Sequence, residues 1–112
     1  MQAVRDIIAA RYPTGKVELT LRDIYSNISN AMGEDRRAVD LIFAALQALD
    51  IVPKVIPIRG GTDGAALSAK GLLTPNFFTG AHNFHSRFEF LPVTSFVKSY
   101  QVAEKLCYLA AE

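Results

Sequence analysis

Hydrophobic positions along this chain change their period several times, and each change predicts an element. Val4, Ile7, Ile8 and the Arg11-Tyr12 pair recur at helical spacing, so residues 2–11 are expected to form a helix that Pro13-Thr14-Gly15 ends. Lys16 to Arg22 then alternates strictly, which places Val17, Leu19 and Leu21 on one side of a strand. The stretch Tyr25-Ser26-Asn27-Ile28-Ser29-Asn30 is polar and turn-prone and marks a candidate boundary. Residues 34–49 carry the clearest helical stripe, made of Ala38, Leu41, Ile42, Ala45, Leu46 and Leu49, with Glu34 and Asp35 at the positive end of the dipole. Pro53 leads into a strand at residues 54–58, and a helix over 63–69 follows, with Gly71 as its cap. A short strand is expected at 76–79 and a last extended piece at 88–90. Pro92 opens a final helix with Val93, Phe96, Val97, Tyr100, Ala103, Cys107 and Ala110 on one face. Two strands joined through a helix make a right-handed parallel βαβ unit the economical arrangement, and the expected class is α/β.

Composition narrows the function classes. The 112 residues suffice for one domain with a real core, and 50% hydrophobic against 21% charged residues is a globular balance. A net charge of +1 gives no reason to expect nucleic acid or an anionic membrane as partner. No apolar run reaches the ~20 residues that span a bilayer. The opening Met1-Gln2-Ala3-Val4-Arg5-Asp6 carries charge where a signal peptide has its apolar segment. Cys107 is the single cysteine, so no internal disulfide forms; a reducing cytoplasm is the expected location and the core of the last helix the expected place for this thiol. Arg36-Arg37 reads as a solvated pair on a helix face.

Two segments hold candidate chemistry. In Ile58-Arg59-Gly60-Gly61-Thr62-Asp63-Gly64 the paired glycines allow close approach of another group, the helix start offers free N–H groups, and Arg59 adds a planar cation that matches a carboxylate. The segment can seat the carboxylate end of a peptide; a capped tight turn with Arg59 in solvent is the commoner use of such a loop. The second segment, Phe78 to Phe90, contains both histidines, His82 and His85. An i, i+3 pair shares a metal on a helix, with Glu89 one turn on, but Gly80, Asn83 and the flanking phenylalanines argue for strand and loop, where the two rings diverge. Zinc needs at least three protein ligands, so one histidine here is part of a larger set or an ordinary polar residue.

The run Pro57 to Ser68, then Thr74 to Gly80 into His82-Asn83-Phe84-His85 and Phe88-Glu89-Phe90, resembles the peptidase T group of two-zinc tripeptidases in the M20 metallopeptidase family. Asp23 to Ile28 resembles more loosely the family's return from its lid domain. The resemblance implies a fold: residues 1–26 as a helix-strand remnant of an α+β lid, and residues 27–112 as the C-terminal part of the catalytic α/β domain. It implies roles as well. His85 would be the last zinc ligand and His82 no ligand. Arg59, Gly60, Gly61 and Thr62 would face the substrate, and Asn27, less surely Tyr25, would touch it near the lid hinge. The cofactor would be zinc, two ions per complete site. The substrate would be a tripeptide, cleaved after its N-terminal residue.

The family's other zinc ligands, its bridging aspartate and its general-base glutamate have no counterpart in this sequence, and Ser86-Arg87 replaces a usual Gly-Lys. The chain is therefore expected to hold part of an active site, to leave its zinc positions unfilled and to show no peptidase activity alone. Open strand edges, with Val55, Ile56, Ile58, Phe77 and Phe78 exposed, would make it a homo-oligomer. Two further readings are a non-catalytic module that binds peptides or carboxylates and self-associates, and a structural relic.

Overall fold

The computed structural model describes residues 2–58 and 60–112. Five helices follow one another: α1 (Gln2–Arg11), α2 (Ile28–Met32), α3 (Arg37–Ala48), α4 (Asp63–Ser68) and α5 (Val93–Ala111). The expected sheet is absent among the described residues, where an isolated antiparallel bridge between His82 and Phe90 is the β pairing found. The segments expected as strands, 16–22, 54–58 and 76–79, run without pairing partners, so the βαβ unit is not formed here. Alternation favours an extended backbone, but a strand needs a neighbour's N–H and C=O groups to become part of a sheet.

What core there is lies between α3 and α5. Ala45, Leu46 and Val102 are buried at its centre, with Ile42, Leu49, Ile51, Phe77, Leu106 and Leu109 packed around them. The α3 stripe thus points inward as its periodicity predicts. For α5 the expectation is reversed. Val93, Phe96, Val97 and Tyr100 are exposed, as are Ala103, Cys107 and Ala110, while Val102, Leu106 and Leu109 meet α3. Cys107 is accordingly a surface thiol and not a core residue. The more aromatic face of α5 is left without cover.

The shape follows from this thin core. The radius of gyration is 20.2 Å, against about 13 Å for a packed domain of this length. Accessible surface is 9475 Å², where a compact protein of this mass exposes about 6,100 Å².

Local ends are better determined. Tyr12 accepts the Gly15 N–H at 2.9 Å, closing the turn after α1. The polar stretch read as a boundary contains a helix start, for Asn27 caps α2 by accepting the Ser29 N–H at 3.0 Å. Helix α3 begins three residues later than its charge pattern suggests. Asp35 stands outside it and accepts from the backbone N–H of Arg37 at 3.1 Å, from its Nε at 3.0 Å and from its Nη2 at 2.8 Å.

The Arg37 side-chain fork, helped by its backbone N–H, lowers the Asp35 carboxyl from 3.8 to about 2 and raises the Arg37 guanidinium. A carboxyl held lower when folded than when unfolded stabilises the fold above its ordinary value. That contribution is lost as pH falls from 3.8 towards 2. A carbon-detected NMR titration should place the Asp35 midpoint near 2, and Arg37→Gln should return it most of the way to the ordinary value.

Candidate functional site

The glycine loop is tied down on three sides. Gly60 takes φ +106, a conformation reserved largely for glycine. Gly61 serves another purpose: a Cβ there would collide with the Tyr25 ring, so the residue permits close approach rather than an unusual turn. Thr62 is extended and caps α4, its Oγ1 accepting from the Ala65 N–H at 3.1 Å and from Asn76 Nδ2 at 3.2 Å. Both lone pairs of that hydroxyl are thus in use, and its proton has no acceptor among the described residues. Behind it, the buried Ser68 hydroxyl donates to the Gly64 carbonyl at 2.6 Å and accepts the Thr74 N–H at 2.9 Å. This fixes α4 to the segment that leads toward the histidines. Helix α4 has only six residues, so its dipole is weaker than a full-length helix would supply.

Asn27 and Tyr25 come to this loop through packing. Helix α2 rests against α4, and the Tyr25 ring covers Gly61. Asn27 Oδ1 is occupied by Ser29, through its N–H and its hydroxyl at 2.9 Å. Its Nδ2 makes no hydrogen bond to the described residues. Of the residues expected to face substrate, Gly60, Gly61, Thr62 and Asn27 are therefore gathered around α4, while Arg59 lies outside the described residues.

The Gly61–Tyr25 contact makes a prediction. Gly61→Ala should displace the Tyr25 ring and destabilise the α2–α4 junction by about 1–3 kcal/mol. In a Tyr25→Ala background the same change should cost less than about 0.5 kcal/mol. Chemical denaturation of the four proteins of this double-mutant cycle measures the coupling.

The histidine loop is a closed turn and not a strand. His82 and Phe90 exchange backbone hydrogen bonds at 2.9 and 3.3 Å, and their rings stack at 5.1 Å. Between them Asn83 Nδ2 donates to the Phe88 carbonyl at 3.2 Å, and the Ser86 and Glu89 N–H groups return to Asn83 and Ser86. Asn83 and His85 both sit at positive φ, +56 and +61. Both imidazoles are exposed. His82 is occupied by its stacking partner; the His85 ring has no hydrogen bond among the described residues.

No group of three His, Cys, Asp or Glu side chains that could hold a metal ion occurs among the described residues. The chain's own donors do not fit a zinc ion, since one imidazole leaves most of the coordination shell unfilled. No hydrogen bond among the described residues joins the His85 loop to the Gly60–Thr62 loop. Ser68 and Asn76, which brace the glycine loop, were not legible as site residues; the one signal was their polarity inside otherwise apolar or aromatic runs.

Curated proteins similar to this chain match it along nearly its whole length. No family model matches the chain. Peptidase T and peptidase T-like proteins are among its curated relatives. It is 64% identical over 105 residues to a peptidase T-like protein of Yersinia pestis, covering 94% of this chain and 26% of that protein. A peptidase T-like protein of Rhizobium meliloti is 58% identical and peptidase T of Clostridium novyi 47% identical, each over 109 residues, 97% of this chain and 27% of the relative. The chain is homologous to peptidase T over nearly all its own length, and spans about a quarter of the length of these relatives.

Proposed function

We propose that this chain is one segment of a peptidase T-like zinc aminopeptidase acting on tripeptides. It contributes an imidazole at His85 and a seat for a substrate carboxylate around Arg59, Gly60, Gly61, Thr62 and Asn27. The supporting observation is the 64% identity to a peptidase T-like protein over 94% of the chain. Residues 1–26 then belong to a lid and residues 27–112 to the catalytic domain. The Thr62 hydroxyl proton and the Asn27 Nδ2, neither with an acceptor among the described residues, are neutral donors suited to a carboxylate. The remaining metal ligands and the general base come from outside this chain. His85 would be one of several ligands to zinc, and a zinc ion held by a complete set would supply Lewis-acid chemistry. The role of this chain's residues is to bind and orient the substrate. A reducing cytoplasm suits the exposed Cys107 thiol.

The test is complementation. A polypeptide supplying the other three-quarters or so of a peptidase T-like protein should release N-terminal residues from tripeptides only when mixed with this chain. Hydrolysis by this chain alone would overturn the proposal. A mixture that stays inactive while this chain alone binds tripeptides tightly would favour the peptide-binding module.

A further inference from the structure

Glu89 stands four residues beyond His85, and its Oε2 accepts the His85 backbone N–H at 2.9 Å. That peptide belongs to a residue at φ +61, a region uncommon for any residue but glycine, although asparagine, aspartate and histidine visit it more than the rest. The two ends of the loop are closed by other groups. His82 and Phe90 pair through their backbones, and the Asn83 carboxamide reaches the Phe88 carbonyl. The tip, where His85 sits, has the Glu89 carboxylate as the acceptor for its N–H. This carboxylate has no ion pair among the described residues, and the neighbouring Arg87 guanidinium lies over the Phe88 ring at 5.1 Å.

We propose that Glu89 is the positioning residue of this loop. Its carboxylate holds the left-handed peptide of His85 and so fixes the direction in which the imidazole leaves the backbone. The inference rests on the reading of His85 as a site residue. The role assigned to Glu89 is distinct from a ligand's, because the carboxylate engages the main chain. A charge-assisted bond to a backbone N–H is stronger than a neutral one, which suits the task of holding a disfavoured conformation.

The test is backbone NMR on the full 112-residue chain, comparing wild type, Glu89→Gln and Glu89→Ala. Glu89→Ala should speed exchange of the His85 amide by about tenfold or more. It should also move the HN–Hα coupling of His85 away from its left-handed value. Glu89→Gln should retain most of both, since a carboxamide oxygen accepts the same bond. The His82 amide, bound to the Phe90 carbonyl, should keep its protection throughout. An unchanged His85 amide in Glu89→Ala would overturn the proposal. So would loss of His82 protection alongside it, because Glu89 would then sustain the whole loop and not one residue. Neither readout involves hydrolysis, so this inference can fail while complementation succeeds, and hold while complementation fails.

Discussion

In the complemented assembly, His85→Ala is expected to lower tripeptide turnover by at least about 100-fold, since loss even of groups that only support a metal ligand costs about 10–100-fold. Zinc affinity measured by competition with a chelator should fall in parallel. His82→Ala should cost less than about tenfold. The two histidines are three residues apart and both exposed, so exposure alone does not separate them. Their engagements do. The His82 ring lies on Phe90, 17° from parallel, and its backbone closes the loop. The His85 ring carries no such contact and sits at the tip of a turn built around its main chain. Equal losses from both substitutions would point to loop collapse as the cause. Full activity of His85→Ala would remove this imidazole from the site.

What the sequence disclosed depended on whether the partner of each residue was local. Helices α1, α3 and α5 have bounds close to those that apolar spacing predicts, because helical hydrogen bonds are made within the segment itself. Helix α2 was hidden in a polar run, although Asn27 followed by Ser29 is a capping pattern. Strands were the main failure. Val17, Leu19 and Leu21 alternate as a strand should, but pairing depends on a remote neighbour that no local pattern specifies. The buried face of α5 was misassigned for a related reason. Apolar residues occupy two sides of that helix, and only the position of α3 decides which side is covered. In the site, Gly60, Gly61 and Thr62 were visible as a glycine-flanked helix start. The contact of Tyr25 with Gly61 was not, the two being separated by two helices and more than thirty residues of chain. Glu89 was noticed for its i+4 spacing from His85, which suggests a shared ion on a helix. The left-handed turn instead brings it to the His85 main chain.

The uncovered surface carries the second large prediction: by itself this chain should self-associate, and its assemblies should be open-ended. The 9475 Å² it exposes exceeds the compact expectation by about 3,400 Å². One side of a large obligate interface hides about 1,000–2,500 Å², so a single two-fold contact leaves apolar surface still bare. Val52, Val55, Ile56 and Ile58 form one bare stretch, with exposures of 59% to 89%, and Phe96, Val97 and Tyr100 on α5 another. The first is also extended and unpaired, which makes it a template for strand addition. Sedimentation velocity should therefore show a broad, concentration-dependent distribution and not a single dimer. Introducing Ile56→Lys with Ile58→Lys should weaken association by about 100-fold or more, since each buried isoleucine contributes about 1.5–3 kcal/mol. Adding the complementary polypeptide should collapse the distribution to one species, because the surface that drives self-association is the surface it would cover. A monodisperse monomer at high concentration, with no binding of a hydrophobic dye, would mean that the chain packs these segments internally.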